Sequence, residues 1–397
     1  MRLLQLSTII ALCLLLIDAQ SVHAQVKVAT PYSVPSELAP LLKFFQERRV
    51  LYQNEDKPLV LPLLFAEDNT RVGMNFKIVM GDKPLGLLKR EMVLKNPFAA
   101  SSFPLSYSII YQAHLVTLFE PGNFACYNIK TLARNQLLEK QLNKRKFQYH
   151  WLLGNQLVGL SGGQYWVQSS VGTWVPYTKP VPFLSKQPKL FEDEHYLSFP
   201  TCNGEFGGEV YFYNKQTGQY YLTGATCPNS IIKRNGQYQV LASLGHGGGS
   251  SRLQIINAPA KLTRMPPRAK PSPADLVLPE HRQKEVALRV ENQTLFYYYG
   301  IQMFGSFLHK DQQLFVVRWT DRTFLATVKN HTITIVDPLF NRSLYTHQPV
   351  TTSYGPNLSL MNMDFYGLAR EKEVSCMLLA GNQIVRIDWG KKRDANF

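Results

Sequence analysis

Charge is scarce in this chain: Asp, Glu, Lys and Arg make up 18% of its 397 residues. Coiled coils and long helical repeats draw roughly half of their residues from Ala, Glu, Lys, Leu and Arg, so this composition excludes them. Cysteine is sparse, five in all, and no Cys-x-x-Cys or His-x-x-His spacing occurs. That argues against a zinc site, and no cofactor-binding motif is present. Long apolar runs are missing too. The run Ile9–Ile17 has nine residues, about half of what a membrane-spanning helix needs. What the chain does have is a 45% hydrophobic content with 20 Tyr and 22 Phe. That is enough apolar surface to build a core, which excludes global disorder, and the aromatic enrichment favours strands over helices. The net charge of +15 is spread along the chain rather than blocked. It steers anionic partners toward the surface, and no nucleic-acid-binding motif accompanies it.

Arg2, the apolar run Ile9–Ile17 and the sequence Val22-His23-Ala24 have the three-part layout of a secretory signal peptide cleaved after Ala24. A periplasmic or secreted location follows as an expectation, with no membrane-spanning segment in the mature chain. Cleavage removes Cys13 and leaves Cys126, Cys202, Cys227 and Cys376. Cys202 and Cys227 flank one probable hairpin and are the expected disulfide. Four Asn-x-Ser/Thr tripeptides begin at Asn292, Asn330, Asn341 and Asn357 and bear on the chain only in a eukaryotic host.

Two helices are expected. One runs from Ser36 to Tyr52 with Ser36 as N-cap. The other, Thr131 to Lys146, reads equally well as a solvated connection. Elsewhere the pattern is strand and turn. Between Gly208 and Asn257, alternating strands are separated by Asn214–Gly218, by Asn235-Gly236 and by a Gly-rich link; Asn-Gly is a strong hairpin signal. Four or five strands in about fifty residues is the content of one propeller blade. Trp151–Val158 and Met377–Val385 share a Gly-Asn-Gln turn between strands. Residues 258–284 carry six prolines among Lys and Arg and read as an exposed basic linker or insert. The expected organisation is a signal peptide (1–24), N-terminal blades (25–257), the insert (258–284) and C-terminal blades (285–397). On these strand groups the chain resembles secreted β-propeller proteins. The resemblance implies an all-β fold of about six or seven four-stranded blades with a central funnel, and no activity.

Gly159-Leu-Ser-Gly-Gly163 fits the G-x-S-x-G string of hydrolases, but the strand-like Gln164–Gln168 follows it where a helix belongs, so a hairpin turn is expected. The string Gly245–Arg252 is the most unusual in the chain. Its glycines expose backbone amides, and His246, Ser250 and Arg252 are candidate ligand-binding residues for an anionic or polyhydroxylated group. Glu205, in a second Gly-rich string, is a further candidate. Glu205 and Glu209 are too close in sequence to define a glycosidase pair. Glu192–His195 reads as a solvated acidic loop rather than a metal cluster. Trp166, Trp174 and Tyr297–Tyr299 are either fillers between blades or stacking platforms for sugars. The expectation is an exported, non-enzymatic binding or scaffold protein of the cell envelope, with a glycan, anionic ligand or envelope protein as partner. The alternative is an envelope carbohydrate-active enzyme, a hydrolase or lyase, using acids such as Glu205.

Overall fold

The computed structural model describes residues 35–51, 63–66, 76–99, 103–183, 186–245, 249–265, 293–340, 344, 346, 348–363 and 375–389. The signal-peptide segment, most of the Pro-rich stretch and His246 lie outside the described residues.

Among the described residues the chain is all-β with two α-helices, α1 (Ala39–Leu51) and α2 (Gln136–Leu142). The strands begin with β1 (Leu63–Ala66), β2 (Lys77–Met80) and β3 (Leu88–Val93). Next come β4 (Ile109–Tyr111), β5 (His114–Phe119) and β6 (Asn123–Asn128), then β7 (Tyr149–Leu153), β8 (Gln156–Ser161), β9 (Gln164–Gln168) and β10 (Trp174–Pro176). They are followed by β11 (Phe191–Glu192), β12 (Tyr196–Pro200), β13 (Glu209–Asn214) and β14 (Tyr220–Gly224), and by β15 (Pro228–Arg234), β16 (Gln237–Leu244) and β17 (Ser250–Ile256). The short β18 (Thr263–Arg264) returns to β14, and β19 (Gln293–Tyr299) returns to β17. Two meanders complete the order: β20 (Gln302–His309), β21 (Gln312–Trp319), β22 (Arg322–Lys329) and β23 (Thr332–Asp337), then β24 (Val350–Gly355), β25 (Leu358–Asn362), β26 (Ser375–Ala380) and β27 (Gln383–Asp388).

These strands form a ring of small antiparallel sheets resembling a β-propeller. The expected six or seven four-stranded blades are not found. Among the described residues, four sheets have four or more strands, and the sheet β4–β6 stops at three. Two causes reduce the count. The groups β15–β17 and β24–β27 merge into one nine-stranded sheet through a single parallel pairing, Ser230 with Thr351. The early strands β2 and β3 also enlarge existing sheets, pairing in parallel with β23 and β27. The connection between them is close-fitting: a Cβ at Gly81 would lie 2.6 Å from the Ile335 carbonyl oxygen.

The aromatic, weakly charged composition has a direct physical use. Most strands are covered on both faces, so alternate residues enter two different cores. On β13, Val210 and Phe212 pack with Ile231, Val240 and Ile256, while Tyr211 packs with Trp151 and Phe199. On β21, Phe315 and Val317 join Leu253, Phe296 and Tyr298, while Leu314 and Val316 join Met361 and Met377. On β5, Val116 and Leu118 meet Leu138 of α2 and Leu152. The opposite face of β5, Leu115 and Phe119, packs with Leu360, Leu378 and Val385, which closes the ring from last strands to first.

The hairpins follow their turn residues. Asn235 and Gly236 both have positive φ, +50° and +76°, the geometry of a two-residue type I′ turn. Gly162 and Gly163, at +59° and +75°, turn β8 into β9, so the G-x-S-x-G string is a hairpin. The first helix is present but starts at Ala39, and the Ser36 hydroxyl bonds Glu37 instead of capping it. The second helix is capped by Asn135, whose Oδ1 accepts from the Leu138 N–H at 3.0 Å.

Candidate functional site

The link between β16 and β17 leads into a face on which two of the sequence candidates meet two tyrosines. Ser250 pairs with Tyr299 and Arg252 with Tyr297. Directly opposed residues of an antiparallel pair point to the same side, so these four share one face. The intervening Phe296 and Tyr298 point the other way and are buried. Tyr297 and Tyr299 remain about 40% exposed. Their rings lie 4.7 Å apart, and the Tyr297 hydroxyl donates to that of Tyr299 at 2.7 Å. Burial together with this hydrogen bond pushes the Tyr297 phenol up to about 12, so it stays neutral and can both donate and accept.

Arg252 is the charged member of this face. Its Nε and Nη2 donate to the Thr294 hydroxyl at 3.2 and 2.8 Å. With the Gln254 amide turned to satisfy both its ends, the Gln254 oxygen accepts from Arg252 Nη2 at 3.1 Å and its nitrogen donates to the Gly224 carbonyl at 3.3 Å. Partial burial lowers the guanidinium pKa, and the Tyr297 phenol offsets part of that. The side chain is positioned from behind, beside the aromatic pair. Sequence reasoning located Ser250 and Arg252 but left the tyrosines undecided between core and platform. The register answers this: Tyr298 is core, Tyr297 and Tyr299 are exposed.

The glycines flanking His246 have a packing role. A Cβ at Gly245 would lie 2.9 Å from Gln302 Nε2, and Gly249 has φ +91° with its Cβ position 3.4 Å from Gln302 Cβ. Glu205 is not part of this face. It sits exposed in the 3-10 turn Gly204–Phe206 between β12 and β13, and no hydrogen bond or ion pair joins it to Ser250 or Arg252. Glu209 is buried and accepts from the Thr201 hydroxyl at 2.6 Å. The Cys202–Cys227 disulfide is formed, and Cys126 and Cys376 are buried thiols.

The segment Glu192–His195 differs from the solvated loop expected. Glu192 is bridged by Lys189 at 2.8 Å and Lys215 at 3.2 Å. Asp193 is bridged by Lys233 at 2.6 Å and accepts from the Tyr238 hydroxyl at 2.8 Å. It is an ion-paired knot tying β11 to β13, β15 and β16. Among the described residues no group of His, Cys, Asp and Glu could hold a metal ion, and no helix is long and apolar enough to cross a membrane.

No protein-family model matches the chain, and no curated protein matches it. Matches to solved structures are distant. An S. cerevisiae assembly of Dbp5 with Nup159, Gle1, IP6 and ADP is 10% identical, with a TM-score of 0.30 over 78% of this chain and 86% of that one. A Synechocystis ACO variant is 10% identical, with a TM-score of 0.33 over 71% and 68%. The AfRom2 CNH domain is 11% identical, with a TM-score of 0.31 over 74% and 97%. Scores this low carry no argument about function.

Proposed function

We propose that this chain is an exported binding protein of the cell envelope that holds an acidic glycan and performs no chemistry on it. The observation that carries the reading is one exposed face combining a held guanidinium, Arg252, with the paired rings of Tyr297 and Tyr299 and the hydroxyl of Ser250. Tyrosine rings offer flat apolar surface to sugar C–H groups, and an arginine pairs a uronate or sulfate with charge-assisted hydrogen bonds. The overall charge of +15 favours approach of such a polymer. His246, at the neighbouring link, is kept as a candidate contact.

The test is titration with polygalacturonate, followed by tyrosine fluorescence or calorimetry. Arg252→Ala and Tyr297→Ala should each weaken binding about tenfold or more, the effect of one lost charged hydrogen bond or stacking contact. The Arg252 effect should shrink as salt is raised. Unchanged affinity in both variants, with melting temperatures intact, would remove this face from the binding reaction.

A further inference from the structure

A second site is built where the leading segments of several strand groups converge, separate from the Arg252 face. A cleft of about 300 Å³ is enclosed by residues entering β4, β11, β15 and β24 and by the β12–β13 link. That volume is at the lower end of small-molecule sites, roughly 300–1,000 Å³. Its rim is rigid. Pro188, Pro200, Pro228 and Pro349 form the walls, and the Cys202–Cys227 disulfide pins the β12–β13 link to the start of β15. A smaller chamber of about 20 Å³ shares Tyr107, Pro188 and Val350 with it as walls. A space of that size holds one water-sized group.

One residue that lines the chamber carries a polar atom that the fold leaves unsatisfied. Tyr149 is 2% exposed, lines the chamber, and its hydroxyl has no hydrogen-bond partner. A buried, unpaired hydroxyl is destabilising, so a ligand group that reaches it recovers that cost. Burial and the neighbouring Tyr107 raise the phenol well above its ordinary range, which keeps it an O–H donor at any physiological pH.

The wall chemistry narrows the ligand. Lys186, Asn203 and Gln348 present an ammonium and two amides to the wide part of the cleft. No carboxylate is among the described lining residues, so a cationic ligand meets no counter-charge. The cation that lines the chamber, Lys189, is already bound to Glu192 at 2.8 Å. One accessible cation beside amides that donate and accept suits a carboxylate carried on a hydroxylated body. We infer that this cleft binds a small hydroxylated carboxylic acid of sugar-acid type, its carboxylate at Lys186 and its deepest hydroxyl directed to Tyr149.

The test uses the full chain with D-glucuronate as probe, and D-glucose and D-glucosamine as comparisons, by ligand-observed NMR and calorimetry. Glucuronate should bind with at least about tenfold preference over glucose, and glucosamine should bind worst. Lys186→Ala should weaken glucuronate about tenfold and erase the preference over glucose. Tyr149→Phe removes only the unpaired hydroxyl, so it should keep or raise the melting temperature while weakening glucuronate several-fold. Arg252→Ala should leave glucuronate binding unchanged, which separates this site from the outer face. The inference is overturned if glucuronate does not bind at 10-millimolar order concentrations. It is also overturned if glucosamine binds as well as glucuronate, or if Lys186→Ala and Tyr149→Phe bind like the parent.

Discussion

His150 lies 1% exposed on β7, its Nδ1 2.7 Å from the Ser106 hydroxyl and its ring edge-on to Phe124 at 5.2 Å. Burial lowers its pKa to about 3, and the Val116 carbonyl offsets only part of that. In the unfolded chain the imidazole titrates near 6.5. Below that pH the unfolded state takes up a proton that the folded state refuses, so stability falls as pH falls from about 6.5 toward 3. Between pH 6.5 and 5, above most carboxylate titration, His150 alone should remove about 1.5 kcal/mol. Urea midpoints at four pH values in that window, for the parent and His150→Gln, measure it. Buried His309, whose pKa burial also lowers, adds to both curves and cancels in the difference. Equal slopes would show that His150 takes up its proton at the same pH in the folded and the unfolded chain. The sequence around it, Tyr149-His-Trp-Leu-Leu153, is legible as a strand. That both its faces are covered is not, because a single strand carries no mark of how many sheets will pack against it. The same limit hid Tyr149 as a site residue and left the three tyrosines of β19 unsorted until their partners on β17 were known.

Elements divide by whether their partners are near in sequence. The hairpins β13–β14, β15–β16 and β16–β17 were legible because Asn214–Gly218, Asn235-Gly236 and the Gly-rich link mark their reversals, but Gly208–Asn257 is not the single blade expected, because β14 pairs onward with β18 and β15 with β24, in two different sheets. The disulfide was legible for the same reason, since it joins the two ends of one strand group. The strap formed by β2 and β3 was not. Its parallel partners β23 and β27 come some 250 to 300 residues later, and no local pattern announces them. Ion pairs hold it: Lys89 to Asp337 at 2.9 Å, with Asp337 buried, and Arg386 to Glu91 at 3.2 Å. Gly81 lies between the two strands, and its N–H donates to the Ile335 carbonyl at 2.7 Å. A side chain there would meet backbone that cannot turn aside. Gly81→Val should therefore destabilise the fold by about 1–3 kcal/mol, the usual cost of overpacking, while Lys83→Ala in the same connection should stay within about 0.5 kcal/mol. Denaturant melts decide between this and a loosely attached strap, for which both variants would behave like the parent.

At the scale of the whole molecule, the sheet that carries the Arg252 face also reaches the cleft. Pro228, Ala242, Arg252 and Tyr297 are successive partners across β15, β16, β17 and β19. Three inter-strand steps, about 14 Å, separate a cleft wall from the outer tyrosine, at the same end of one sheet. This sheet bridges the Pro-rich stretch, since β17 lies before it and β19 after it. The core continues across the same boundary: Leu241 and Leu253 pack with Phe296, Met303 and Phe315. If residues 266–284 form the exposed basic segment that their prolines, lysines and arginines imply, brief trypsin treatment should cut there first. The two fragments should then remain together through the β17–β19 ladder and this core, elute as the intact chain does in gel filtration, and separate only in denaturant. They should also unfold in one urea transition, with tyrosine fluorescence and far-UV circular dichroism giving the same midpoint. Fragments that part under native conditions, or two transitions with different midpoints, would mean that residues 25–257 and 285–397 fold as separate domains and that the β17–β19 pairing does not hold the two halves in one cooperative unit.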